Sequence, residues 1–204
     1  MPRSYRLGKR AAQKESTRAR IVQAAIDLYT ERGISRASMQ QVARRADVAP
    51  GTVLNHFPAR DDLDRAMVDR ALAEMSAPDL SIYDGLGTIG ERLACLSRET
   101  GAFLDRAAAW YRLWLREPMV TGVWAEAGAA YGAQWEALFR AALGPLADDP
   151  DAMALLRATM HPTFYEAVRS GSRSTEEAAD LIAAALTPWF EIRTRASARR
   201  QPRT

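Results

Sequence analysis

A chain of 204 residues that is 48% hydrophobic can bury one large core or two small ones, which excludes a disordered protein. It has no run of the ~18 apolar residues a membrane span needs, and its basic N-terminus, MPRSYRLGKRAAQKESTRAR, has no apolar segment behind it, so a cytoplasmic protein without span or secretory signal is expected. The net charge of +3 is unevenly placed: residues 1–60 hold 12 Lys/Arg against 4 Asp/Glu and residues 61–204 hold 16 against 21, a basic end on a mildly acidic body that suits a polyanionic partner.

Residues 1–16 lack an apolar period and are rich in Arg, Lys, Ala and Ser, so a flexible basic arm is expected, either a solvated tail or a contact to phosphates through Arg6, Lys9, Arg10 and Lys14. From Thr17 the pattern turns helical: Ile21, Ala24, Ala25, Leu28 and Tyr29 form one stripe, and Gly33 stands where a C-terminal cap belongs. Ser38 with Gln41 makes a capping box opening a short helix over about 39–45, whose inward face is Met39, Val42, Ala43 and Ala46. Asp47 and Val48 form a turn. Pro50 then opens a further helix ending near Phe57, with Ala49 at its N-cap and no side chain there to close it.

If Val53 and Phe57 point inward, the step of about 100° per residue turns Gly51, Thr52 and Asn55 outward, with Leu54 and His56 on the flanks. Gly51 offers bare backbone, Thr52 a hydroxyl and methyl, and Asn55 an amide able to pair with adenine or phosphate. Arg44, Arg45 and Arg60 lie around this face and suit phosphate neutralisation. The bland alternative is a helical hairpin within a bundle.

Asp61 and Asp62 start a connecting helix over 61–75, where the helix dipole favours acid. Ser76–Gly87, with Pro78, Gly85 and Gly87, reads as a domain boundary. Helical runs follow at about 88–105, 107–117, 121–143, 150–170 and 175–195, leaving a basic tail over 196–204. Cys95 reads as a small buried hydrophobe beside Leu93 and Leu96. No alternating strand pattern competes, so the fold class is all-α, with a small N-terminal helix-turn-helix domain over 17–60 and a helical body over 76–195. Two histidines and one cysteine supply no zinc set and no nucleophile–histidine–acid constellation. No catalytic residues, metal or cofactor are therefore assigned, and an enzyme is not expected.

The segment SMQQVA followed by Ala46-Asp-Val, and above all PGTVLNHFPARDDL from Pro50, resembles the TetR family of bacterial transcriptional regulators over about residues 17–65. The resemblance implies about nine helices, a homodimer formed through the last two, and the helix at Pro50 in the major groove of a palindromic double-stranded operator. It also implies release by a small-molecule effector; a non-specific architectural DNA binder without effector is the alternative. The DNA-contacting set is then Ser38, Gln40, Arg44, Arg45, Pro50, Gly51, Thr52, Leu54, Asn55, His56 and Arg60. Leu54 departs from the family, which often has a phosphate-binding tyrosine there, and can give only apolar contact, for instance to a thymine methyl. Ala49, where serine is common, likewise lacks a cap and a phosphate donor.

Aromatics concentrate in the body. Trp110, Tyr111, Trp114, Trp124, Tyr131, Trp135, His161, Phe164 and Tyr165 are candidates for an effector pocket, with core packing as the alternative for each. His161, just before Pro162, can instead mark a helix kink with its ring satisfied locally. Apolar stripes of Met153 and Leu156, and of Leu181, Ala184, Ala185, Pro188, Trp189 and Ile192, suit a four-helix dimer interface.

Overall fold

In the computed structural model, which describes residues 3–33, 36–116, 122–170 and 172–200, the fold is all-α. The described helices are α1 (Arg3–Arg32), α2 (Met39–Arg45), α3 (Pro50–His56), α4 (Arg60–Glu74), α5 (Ile89–Arg116), α6 (Gly122–Leu143), α7 (Pro150–Thr159), α8 (Pro162–Arg169) and α9 (Thr175–Arg200), with 3-10 turns at Leu80–Tyr83 and Gly144–Leu146. No helix among the described residues is long and apolar enough to cross a membrane.

The helix boundaries follow local chemistry. α1 ends at Gly33, whose φ of 88° permits the left-handed turn and whose N–H donates to the Tyr29 carbonyl at 2.8 Å. Ser38 caps α2 through the expected box: its Oγ accepts from the Gln41 N–H and the Gln41 side chain accepts from the Ser38 N–H. α3 opens on Pro50 with no side-chain cap at Ala49, as expected.

Several expectations need correction. The basic segment read as a flexible arm is helical from Arg3. The runs expected at 88–105 and 107–117 are one helix, because the Ala107–Ala109 stretch between them contains no breaker. The run expected at 150–170 is two helices. Pro162 cannot donate to Ala158 and its ring restricts His161 to an extended ψ of 135°, so α7 stops and α8 restarts with the His161 Nδ1 accepting from the Thr163 N–H at 3.3 Å. The last helix continues to Arg200, taking in most of the segment read as a tail.

The chain divides into two compact units, Met1–Glu74 with Ala108–Gly128, and Met75–Ala107 with Ala129–Thr204; α5 and α6 each contribute to both. In the first, the stripe Ile21, Ala24, Ala25, Leu28 and Tyr29 is buried with Val42, Ala43, Val53, Phe57, Leu63 and Met67. The second packs Leu93, Leu96, Leu138, Leu143, Leu156, Tyr165, Ile182 and Phe190 into one core. Cys95 is half-buried at its edge, donating to the Ile82 carbonyl at 3.3 Å, and burial pushes its thiol up. Asp149 caps α7 and receives both Nε and Nη2 of Arg193 at 2.6 and 3.0 Å, which ties the start of α7 to α9.

The α5–α8–α9 junction is the tightest point of the second unit. The Tyr165 hydroxyl lies 2.9 Å from the Ser97 carbonyl, to which it donates, and 3.3 Å from that of Thr175, and burial pushes it up to about 12. A Cβ on Gly101 would stand 2.5 Å from both that hydroxyl and the Thr175 Cγ2. Gly101→Ala is therefore expected to lose ~1–3 kcal/mol to overpacking, which exceeds the ~1 kcal/mol gained in helix propensity. Urea denaturation should show the net loss, and an unchanged or raised midpoint would contradict the packing.

Candidate nucleic-acid interface

The α2–turn–α3 hairpin owes its angle to backbone geometry. Asp47 adopts φ 52°, and the Val48 N–H reaches back to the Ala43 carbonyl at 3.0 Å, a wrapped C-terminus that stops α2 within one residue. Aspartate tolerates this left-handed conformation better than most residues. The turn holds α3 so that Val53 and Phe57 are buried while Pro50, Gly51, Leu54 and Asn55 are exposed.

This exposed face exchanges two residues of the expected one. Leu54 is 51% exposed, whereas Thr52 is half-buried, as is His56. Spacing with Val53 and Phe57 inward favours Thr52 as the more outward residue, so the packing around α3 reverses the wheel's order for these two. A Cβ on Gly51 would meet nothing within 4 Å, so the first turn of α3 is open to a close partner. Ser38 and Gln40 are also exposed at the start of α2.

The three arginines expected to neutralise phosphate have different surroundings. Arg44 is exposed and has no acceptor among the described residues. Arg45 grips Glu31 of α1 in a two-pronged pair, with Nη1 and Nη2 donating to Oε1 and Oε2 at 2.9 and 2.6 Å, and holds that carboxyl below its usual range. Arg60 is a strut: its Nε donates to Asp64 at 3.1 Å, its Nη1 to the Ala37 carbonyl at 2.6 Å, and its guanidinium stands 4.8 Å from the centre of the Tyr29 ring. The Tyr29 hydroxyl donates to the same Asp64 oxygen at 2.7 Å, and burial followed by the Asp64 charge pushes that hydroxyl up. Arg60 thus positions the chain entering α2. Reading it as a surface cation misses this, because its partners lie on α1 and ahead of α2.

Residues 21–67 match the family model of bacterial regulatory proteins, tetR family. Over this segment the chain is similar to that family. An uncharacterized HTH-type transcriptional regulator of Haemophilus influenzae is 45% identical over 65 residues, 31% of this chain and 32% of the relative, so the chain spans about a third of that protein's length. Among solved structures, AibR in complex with isovaleryl coenzyme A and operator DNA is similar over 84% of this chain and 98% of its own, at 18% identity and a TM-score of 0.64. A TetR-like transcriptional regulator from Rhodococcus sp. RHA1 is similar over 87% of this chain and 96% of its own, at 19% identity and a TM-score of 0.61. At such identities the likeness is one of fold.

Outside the matched segment, the aromatic candidates separate. In the second unit Tyr131 and Trp135 pack with two residues the sequence reading missed, Phe103 and Phe139; Trp135 meets Phe103 edge-on at 5.1 Å and Phe139 at 6.0 Å. Only the α5–α6 pairing brings these together, so α6 spacing alone did not reveal Phe103. Tyr165 is a core strut, Phe164 is exposed on α8, and His161 is an exposed helix cap. In the first unit, Trp110 is buried and its Nε1–H donates to Glu74 at 2.7 Å, which together with Arg70 keeps that carboxyl below its usual range. Trp110 also floors an open groove of about 420 Å³ with Ile26, Asp27, Glu31, Arg45 and Arg70, whose charged groups already pair with one another or with neighbours in the groove. Tyr111 and Trp124 are half-buried, and the side chain of Trp114 lies outside the described residues.

The left-handed turn is open to direct test. Asp47→Val should cost ~1–2 kcal/mol, since a β-branched residue meets the full left-handed penalty, while Asp47→Gly should be neutral or stabilising. Thermal denaturation of both variants checks the order; equal midpoints would contradict this account of the hairpin.

Proposed function

We propose that the protein is a DNA-binding transcriptional regulator that sets α3 into the major groove of a palindromic operator as a homodimer. The observation that carries this reading is the α3 face itself: Gly51 open, Leu54 and Asn55 exposed, and unpaired Arg44 nearby, on a hairpin fixed by a capping box, a left-handed turn and the Arg60 strut. Asn55 is the base-reading amide and Leu54 an apolar contact for a thymine methyl. Ser38, Gln40, Pro50, Thr52 and His56 border the groove, while Arg45 and Arg60 act by holding the hairpin against α1 and α4.

The dimer forms through α9. Leu181, Ala184, Ala185, Pro188, Trp189 and Ile192 make a continuous exposed stripe, with Ile192 65% exposed, and an apolar row of this length calls for a partner helix. Met153 and Leu156, expected on the same interface, are buried in the core of the protomer, so α7 contributes support rather than contact. The two-fold arrangement would space paired α3 helices about 34–36 Å apart, one turn of DNA.

The effector is a small, largely apolar molecule taken up against the half-buried aromatic surface of Tyr131 and Trp135, and its action is release of the operator. Support comes from the neighbouring structure of AibR, solved with isovaleryl coenzyme A and operator DNA. Release requires that the molecule bind the DNA-free state more tightly.

Selection of duplexes from a random pool by the full chain should yield a two-fold symmetric sequence. Recovery of no preferred sequence would leave a non-specific architectural binder. Asn55→Ala should weaken the selected site by ~1–3 kcal/mol and random DNA far less. Arg44→Ala should weaken both and lower the salt slope by about one. Equal losses on both duplexes for Asn55→Ala would remove the base-reading assignment.

A further inference from the structure

α1 is longer than its packing requires. Its buried stripe begins at Ile21, yet the helix starts at Arg3, and every residue from Gly8 to Ser16 is exposed. Between residues 3 and 20 there are seven Lys/Arg and a single acid, Glu15. Arg10, Lys14 and Arg18 recur at i, i+4 and i+8, which sets them in one stripe, with Lys9 beside it. Lys9, Arg10 and Lys14 hold no ion pair among the described residues.

The direction of this extension is fixed at both ends of the packed part of α1. At its N-terminal side, the Arg18 guanidinium stands 5.0 Å from the centre of the ring of Phe57, the residue that ends α3. At its C-terminal side, Glu31 is clamped by Arg45, and the last turns of α1 line the groove with Arg70, Glu74 and Trp110. The extension therefore leaves the domain beside the end of α3 and runs away from Trp110. At 1.5 Å per residue, Arg10 lies about 12 Å beyond Arg18 along the axis.

Like charges at i and i+4 repel, and an extension without a packed face is held only by propagation from the packed part of α1, so it frays readily in water. A row of phosphates supplies the missing counter-charge. We infer that the N-terminal extension of α1 is a second DNA-binding element, which lies along the phosphate backbone of the duplex flanking the segment read by α3. This rests on the reading of α3 as the base-reading helix. The extension adds affinity and salt dependence without sequence preference, because Lys9, Arg10 and Lys14 present point charges and forks to phosphate rather than to base edges.

The test uses the full-length protein and the duplex it selects from a random pool, prepared trimmed to the protected core and with ten further base pairs on each side. The wild type should bind the flanked duplex more tightly and with a steeper salt slope. Lys9→Gln/Arg10→Gln/Lys14→Gln should lose roughly tenfold on the flanked duplex at ~0.1 M salt, lower its salt slope by about two to three, and leave the trimmed duplex unchanged. Lys9→Arg/Arg10→Lys/Lys14→Arg, which keeps the charges, should bind as wild type does. The substituted positions are exposed, so unchanged thermal melting serves as the folding control. Equal affinity and slope of the wild type on both duplexes, with sequence selection intact, would overturn the extension's role and leave the α3 reading standing. Failure to select any sequence would overturn both.

Discussion

The N-terminal domain depends on one buried polar node, in which Asp64 of α4 accepts from the Tyr29 hydroxyl of α1 and from Arg60, while Arg60 also reaches the Ala37 carbonyl ahead of α2. A donor from α1 and one from the preceding turn of α4 meet on a single carboxylate, and the second of them, Arg60, carries the anchorage on to Ala37. A buried carboxylate without donors would carry a large desolvation cost, so removing either partner would leave Asp64 undersupplied as well as loosening a contact. The consequence reaches function through position. α2 and α3 are each seven residues long, too short to be stable alone, and they take their orientation from what holds Ala37, Ala46 and Phe57 in place. A DNA-reading face is only as well defined as that anchorage.

The sequence disclosed what is local and periodic. The stripe of α1, the inward residues of α2 and α3 apart from the half-buried Met39, the capping box at Ser38 and the helix start at Pro50 all depend on neighbours within one or two turns, and all are present. It disclosed less where the deciding partner is distant. Arg60 resembles a surface cation until Ala37 and Asp64 are beside it. The helical wheel ranks Thr52 outward of Leu54, and the packing around α3 makes Leu54 the exposed one instead. The division of α7 from α8 was legible, since Pro162 forbids continuity, but required giving the proline more weight than the apolar period running through it. The length of α1 was not legible from apolar period at all, because Gly8–Ser16 are all exposed.

In the second unit the same limit explains the aromatics. Residues grouped by composition as one pocket serve three physical purposes: Tyr165 bonds across α8 to α5, His161 closes a helix start, and Tyr131 with Trp135 builds an aromatic surface with Phe103 and Phe139. Only the last offers a half-buried apolar face of the kind small molecules occupy. Gly101 shows the opposite condition nearby, a point with no spare room on the same helix. α5 thus combines a fixed segment around Tyr165 with an aromatic surface at Phe103, less than one turn further on.

In the proposed reading, affinity and specificity fall to different residues. Asn55 and Leu54, the proposed base-reading pair, carry no charge, while several cations close to α3 are engaged: Arg45 with Glu31, Arg60 with Asp64, and Arg18 over Phe57. That leaves Arg44 as the local cation without a partner among the described residues. A helix reading bases with one free arginine nearby would hold a polyanion weakly at physiological salt, where most binding free energy comes from phosphate neutralisation. Lys9, Arg10 and Lys14, likewise without an ion pair among the described residues, lie along the exposed start of α1. In the proposed reading, their placement beside the end of α3 would add electrostatic attraction without altering the residues that read the sequence.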